Sequence, residues 1–130
     1  MKMYFVLITG LACLMASPAS AFSIEFNWEG LKLCNSGNPN RVSNPKFKLK
    51  DVPAGTAYIR FQLKDRDVPS YNHGGGVVAY NGQKTIEPGA FKYKSPCPPG
   101  GQHTYEWTAT AQKKKNGGKL SRAKAAKKYP

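Results

Sequence analysis

Two stretches hold most of the side chains with chemistry to offer: DRDVPSYNH at residues 65–73 and PCPPGGQHTYEW at residues 96–107. They contain both histidines of the chain, His73 and His103, with Asp65, Asp67 and Tyr105 close by in sequence. Imidazole, phenol and the backbone N–H groups of a glycine-rich turn are donors that suit a small oxyanion such as a phosphate monoester. The carboxylates need other work in such a site. One can orient a histidine and hold it protonated, and the other can take the ammonium end of a zwitterion or a phosphate's own proton. The plainer alternative is that Asp-x-Asp before Pro is turn chemistry and that the histidines are hydrogen-bonded rim residues.

The elements that position these groups read as strands. Phe22, Ile24, Phe26 and Trp28 alternate with polar residues, as do Ala57, Ile59, Phe61 and Leu63, and then His103, Tyr105, Trp107, Ala109 and Ala111. Period-two alternation marks half-buried strands of an antiparallel sheet. Shorter candidates are residues 31–34, 46–50, 77–80 and 90–93. Turn residues lie between them, from Asn35 to Pro45, at Val52–Gly55, at Gly74–Gly76, at Pro88-Gly89 and from Pro96 to Gly101. Asn81-Gly82 sits where a two-residue hairpin turn fits. The expected class is an all-β sandwich or barrel. In an extended chain Asp65 and Asp67 continue the face of Phe61 and Leu63, while His103 and Tyr105 share the face of Trp107. Two strand ends then aim polar pairs along core-facing lines, giving a pocket with an apolar floor and a polar rim.

The charge is uneven. The chain carries 20 Lys and Arg against 7 Asp and Glu, and residues 112–130 hold eight of the bases and no acid. That Lys- and Ala-rich tail, residues 113–130, is expected to be a short helix, marginal on its own, or a solubilising, partly disordered segment. Residues 1–21 read as a signal peptide, with Lys2, an apolar run over residues 4–15 and an Ala19-Ser20-Ala21 cleavage pattern. A lipid anchor on Cys13 is the alternative, against which Gly10 stands where a large aliphatic is expected. Residues 22–112 then form one domain in a periplasmic or secreted protein. Cys34 and Cys97 read there as one disulfide, the alternative being two separate buried thiols.

The two stretches resemble the signatures of the phosphatidylethanolamine-binding protein family, in a shortened form of its small bacterial, Raf-kinase-inhibitor-like type. The first signature is Asp65-x-Asp67-x-Pro69 followed by His73. The second is the Pro98-Pro99-Gly100-Gly101 turn leading to His103, Tyr105 and Trp107. The segment CNSGNPNRVSNPKFKLKDVPAGTAYIRFQL is similar to the family's opening, so residues 22–112 are covered. The resemblance implies a Greek-key β-sandwich with a small anion pocket built from Asp65, His73, Pro98 or Pro99, Gly101, His103 and Tyr105, with Asp67 behind it or at its rim. It also implies phosphate-like head groups as ligands and modulation of other proteins. The chain departs from the pattern in carrying Gly74 where a Trp usually follows the first histidine and Thr104 where an Arg usually stands, which removes a bidentate phosphate clamp. Only 29 residues separate the two histidines, so a segment is trimmed.

The expected function is therefore a binding module for a small anionic or zwitterionic ligand. A second class is an acid–base enzyme using Asp65 with His73 or His103. No serine or cysteine nucleophile sits in a recognisable motif, no spacing resembles zinc ligands, and no cofactor is implied. A third class is a cationic surface protein whose tail binds anionic lipid, lipopolysaccharide or an acidic protein. An extracytoplasmic location argues against nucleic acid as the partner.

Overall fold

The computed structural model describes Gly10 and residues 21–130. Apart from Gly10 and Ala21, the expected signal peptide lies outside the described residues. The described chain folds into nine strands: β1 (Ser23–Glu25), β2 (Arg41–Ser43), β3 (Phe47–Lys50), β4 (Tyr58–Asp65), β5 (Gly75–Ala79), β6 (Thr85–Ile86), β7 (Lys92–Lys94), β8 (His103–Lys114) and β9 (Gly117–Tyr129). They pair in an antiparallel four-stranded sheet, β5-β4-β8-β9, a three-stranded sheet, β1-β3-β6, and a two-stranded ribbon, β2-β7.

The expected all-β sandwich is what forms, and the alternation read from the sequence is what closes it. Ile59, Phe61 and Leu63 of β4 and Tyr105, Trp107, Ala109 and Ala111 of β8 are all buried. Opposite them lie Ile24, Phe26, Phe47 and Ile86 of the smaller layer. Phe47 is the junction. Its ring stacks on Phe61 at 4.4 Å between centroids and meets Trp107 edge-on at 5.2 Å. Burying aromatic side chains of this size contributes roughly 2–3 kcal/mol each, and offset and edge contacts add a little more.

Some expected elements differ. Residues 31–34 form no strand, whereas β2 arises in a stretch read as a turn and β6 in one given no element; at two or three residues they carry too few positions to show a period. Asn81-Gly82 does turn the chain, with Gly82 at φ 96°. It closes no hairpin, however, because β5 pairs with β4 and β6 pairs with β3. The turn hands the chain from one layer to the other.

The largest correction concerns the tail, which forms neither a helix nor a loose segment. Residues 117–129 are β9, the outermost strand of the main sheet, paired with β8 from His103↔Tyr129 to Lys114↔Gly117. The two longest strands thus form a hairpin around Lys115-Asn116. Alanine favours helix in isolation, but here it is selected by packing. Ala123 and Ala125 lie beside Ala109 and Trp107 on the inner face, Ala123 buried and Ala125 partly buried against the core. Tyr129 closes the end of the strand. Its hydroxyl accepts the Cys34 N–H at 2.8 Å, and the Trp28 indole N–H donates to the Lys128 carbonyl at 3.0 Å.

Of the three glycines after His73, Gly75 and Gly76 serve this packing, whereas Gly74 has open space and a φ of +75°. A Cβ on Gly75 would stand 1.8 Å from the Phe61 carbonyl oxygen, and one on Gly76 would stand 2.5 Å from the Phe91 side chain. Gly101 has open space around it and no positive φ. Gly75→Ala is therefore expected to lower stability by about 1–3 kcal/mol or more, whereas Gly101→Ala should stay within about 0.5 kcal/mol. Urea denaturation midpoints of the two variants check the contrast.

Candidate ligand pocket

β4 carries Asp65 to the end of the core and stops there for a local reason. The Oδ1 atom of Asp65 accepts the N–H groups of Asp67 (2.9 Å) and Val68 (3.2 Å), turning the chain away from the extended path. Asp65 is consequently buried, at 4 % exposure, while Asp67 is exposed. The expectation that the two carboxylates project along one face is corrected accordingly, since the i and i+2 rule holds only while the chain stays extended. The Asp67 carboxylate instead accepts the Thr104 N–H at 2.8 Å and ties the turn to the start of β8.

The other oxygen of Asp65 bonds to His103. Oδ2 lies 2.7 Å from Nδ1, and because a carboxylate only accepts, Nδ1 carries the proton and Nε2 is left for other partners. Two residues along β8, Tyr105 is buried between the histidines. Its ring centroid is 5.4 Å from that of His73 and 6.3 Å from that of His103. Burial, and after it the charge of Asp65, push the Tyr105 phenol well above its ordinary range. The phenol therefore keeps its proton throughout the physiological range.

The second stretch is held over this group by covalent and backbone ties. Cys34 and Cys97 form a disulfide across 63 positions of sequence. The Gly37 N–H donates to the Cys97 carbonyl at 3.1 Å, and the Ser95 N–H donates to the Asn40 carbonyl at 2.7 Å. Pro98 is buried and Pro99 exposed. Between this loop and the 65–73 turn lies a pocket of about 150 Å³, lined by Asp65, His73, Cys97, Pro98, Pro99, His103 and Tyr105 with Gly37, Pro39, Val68 and Tyr71. That volume is about half the low end for drug-sized ligands. It has room for a group of a few heavy atoms.

Two solved structures share this architecture. One is a phosphatidylethanolamine-binding protein homolog, CT736, from Chlamydia trachomatis, with a TM-score of 0.60 at 16% identity over 85% of this chain and 97% of that one. The other is YbcL from E. coli, described as a new member of the mammalian phosphatidylethanolamine-binding protein family, with a TM-score of 0.59 at 15% identity over 85% of this chain and 98% of that one. The fold is that of the phosphatidylethanolamine-binding proteins. No protein-family model matches the chain, and no curated protein does.

On this phosphatidylethanolamine-binding fold the expected site residues separate into two groups. Asp65, His73, Pro98, Pro99, His103 and Tyr105 line the pocket together, whereas Gly101 and Asp67 do not. Gly101 lies on the exposed outer part of its loop, beyond the buried Pro98. Sequence reasoning passed over Tyr71, which meets His73 edge-on at 4.6 Å. It also passed over Lys94, whose Nζ lies 5.6 Å from the Tyr71 ring centroid, and Gly37 and Pro39. Tyr71 stood inside the DRDVPSYNH stretch and could have been chosen for its place two residues before His73. Gly37 could have been found from Cys34, three positions earlier, once the disulfide was assumed.

His73 is more deeply buried than His103. It is 3 % exposed, and its Nδ1 lies 2.8 Å from the Lys94 carbonyl oxygen. Burial holds its pKa below the ordinary histidine range, against the opposing pull of that carbonyl and of Asp65 and with a smaller push from the Lys94 ammonium. In the neutral ring Nδ1–H donates to the carbonyl and Nε2 is an acceptor. The linkage has a definite sign. Unfolded His73 takes up its proton near pH 6.5, and the folded residue does so only at lower pH. Below that point the unfolded state binds more protons, so the contribution of His73 is full above about pH 6.5 and is lost as pH falls. The loss of stability between pH 7.5 and pH 5.5 is therefore expected to be smaller in His73→Gln than in the wild type, as read from denaturation midpoints.

Proposed function

We propose that this chain is a binding protein for a small phosphate-like oxyanion or zwitterionic phosphate head group, seated between the 65–73 turn and the 96–103 loop. The observation that carries the reading is convergence. Two histidines 30 positions apart and a buried phenol line one pocket of about 150 Å³. The Tyr105 O–H is suited to donate to an anion oxygen, and in its doubly protonated form His103 can donate from Nε2 while its Nδ1–H holds Asp65. Neutral His73 supplies an acceptor for a phosphate O–H or an ammonium group. Lys94 adds positive charge behind the Tyr71 wall, in a chain that lacks an arginine at position 104. Affinity should rise as pH falls, because protonation of His73 turns an acceptor into a second donor. The disulfide favours a periplasmic or secreted setting, and modulation of another protein would follow from occupancy of the pocket.

The test is a titration with inorganic phosphate and with phosphoethanolamine, followed through the imidazole ring protons by NMR. Both histidines are expected to shift with either ligand, and His103→Ala should weaken binding about tenfold to a hundredfold, the worth of one hydrogen bond to a charged group. Failure of both ligands to move either imidazole overturns the proposal. The Asp65–His103 pair also favours a second reading, acid–base catalysis. Among the described residues, however, no cysteine is free to act as a nucleophile beside that pair, since Cys34 and Cys97 are bonded to each other.

A further inference from the structure

The pocket occupies one end of the sandwich, and a wider concavity lies elsewhere. It runs along the outer face of the β5-β4-β8-β9 sheet with a volume of about 670 Å³. Its shape follows from the strand register. Arg60 of β4 pairs with Thr110 of β8, which pairs with Arg122 of β9; on the next outward rung Gln62, Thr108 and Lys124 stand in line. The central strand thus presents short hydroxyl side chains, and the strands on either side present long cations. The result is a groove with Thr108 and Thr110 on its floor, Arg60 and Lys64 along one wall, and Arg122 and Lys124 along the other. The β4 and β9 backbones are about 10 Å apart, and the floor runs for about 20 Å from Glu106 to Gln112. Glu106, the one acid lining the groove among the described residues, pairs with Arg66 and with Lys124 at one end. Arg60 is fixed by donating to the Lys115 carbonyl (3.3 Å) and the Asn116 side chain (3.2 Å), both neutral acceptors, so its charge stays uncompensated there.

We infer that this groove binds an anionic polysaccharide chain, its sulfate or phosphate groups meeting the cationic walls and its sugar hydroxyls meeting the threonines and Gln62. Three features favour this occupant. A concave groove with recessed hydroxyls fits a single extended polymer and leaves a flat lipid surface touching only the wall tips. An acidic protein needs a cluster of aromatic or aliphatic anchors for affinity, whereas apart from Leu63, Pro69 and Tyr71, from β4 and the turn that follows it, the groove is lined by polar and charged residues and glycines. The alternation of cation with hydroxyl matches a polymer whose charges are spaced by neutral polar groups. The groove meets the phosphate pocket at Tyr71, which lines both, but shares none of the histidines, so the two readings are tested separately.

The test uses heparin as the probe and the full chain throughout. Arg60→Gln, Arg122→Gln and Lys124→Gln are combined in one variant. A charge-matched control carries Lys48→Gln, Lys50→Gln and Lys84→Gln, all exposed and outside the main sheet. Near-UV circular dichroism confirms that both variants are folded. The groove variant is expected to bind heparin about 100-fold more weakly at low salt, at roughly a factor of five per cation, and to lose about three units of slope in log affinity against log salt. The control should change little, and Thr108→Val with Thr110→Val should weaken heparin while sparing polyphosphate. Equal losses in the control and the groove variant would mean that net charge alone is read, and would overturn the proposal. So would unchanged heparin binding in the groove variant. Binding of anionic phosphatidylglycerol vesicles without binding of heparin would assign the face to a membrane instead.

Discussion

A chain ended at Gln112 is expected not to fold. Cutting there removes β9 and with it Ala123 and Tyr129 from the core, together with the partly buried Ala125. It also cuts off the last two residues of β8 and strips the rest, from His103 to Gln112, of its β9 partner, the longest ladder among the described residues. Trp107 and Ala109, now fully buried, would lie along an open edge. Removal of a buried aromatic residue costs about 3–5 kcal/mol by itself, and the native state of a domain this small stands only about 5–15 kcal/mol below the unfolded chain. The loss of the hydrogen bonds from Cys34 N–H to Tyr129 and from Trp28 to Lys128 adds to that. The unpaired edge also invites association between chains. Near-UV circular dichroism and size-exclusion chromatography check the outcome: a flat aromatic signal and aggregated or expanded material are expected. A cooperative melt with a native aromatic spectrum would show that β9 is dispensable. The basic C-terminal segment is thus a structural strand, and its charges should be tested by substitution and not by deletion.

Asp65→Ala is expected to be the most damaging single substitution at the pocket. Three donors depend on this one carboxylate: the N–H groups of Asp67 and Val68 and Nδ1–H of His103. Removing it leaves them without their acceptor at a buried position. Loss of one partner of a buried charged pair typically costs about 3–5 kcal/mol, most of it the penalty of the groups left behind. Asp65→Asn keeps an oxygen for the turn or for the imidazole but not for all three donors, and should fall in between. Urea denaturation measures the stability loss, and a phosphate titration of whatever folded protein remains measures the loss of the site. Near-wild-type stability in Asp65→Ala would mean that solvent replaces the carboxylate, and that the turn is not held in the way described.

Much of the fold was legible because alternation reports directly on burial. The pattern of Ile59, Phe61 and Leu63 opposite Arg60, Gln62 and Lys64 has one physical reading, and β4 follows it residue by residue. Tyr105 to Ala109 behave the same way, and the alternation ends at Thr110, which is buried although it lies on the outer face. The pocket was legible for a similar reason. Asp65 ends one such strand and His103 begins another, so the antiparallel pairing of β4 with β8, which sets Asp65 opposite Tyr105, brings them to the same end of the sheet. Tyr71, Gly37 and Pro39 were not legible in this way, because loops carry no period and these residues reach the pocket only through the disulfide and the turn hydrogen bonds.

The sequence by itself determined the layers, the strand faces and which end of the sheet holds the imidazoles, because those follow from local periodicity and from which residues avoid water. Only the tertiary structure decided the fate of the tail and of the second carboxylate. Alanine and lysine are compatible with helix, strand or coil, so residues 117–129 took their conformation from pairing with the edge of β8 and from the burial of Ala123 and Tyr129 in the core. Asp67 left the face of Asp65 because two backbone N–H groups had to find an acceptor. In both places the local preference is small compared with the energy of a neighbour that only the folded chain supplies.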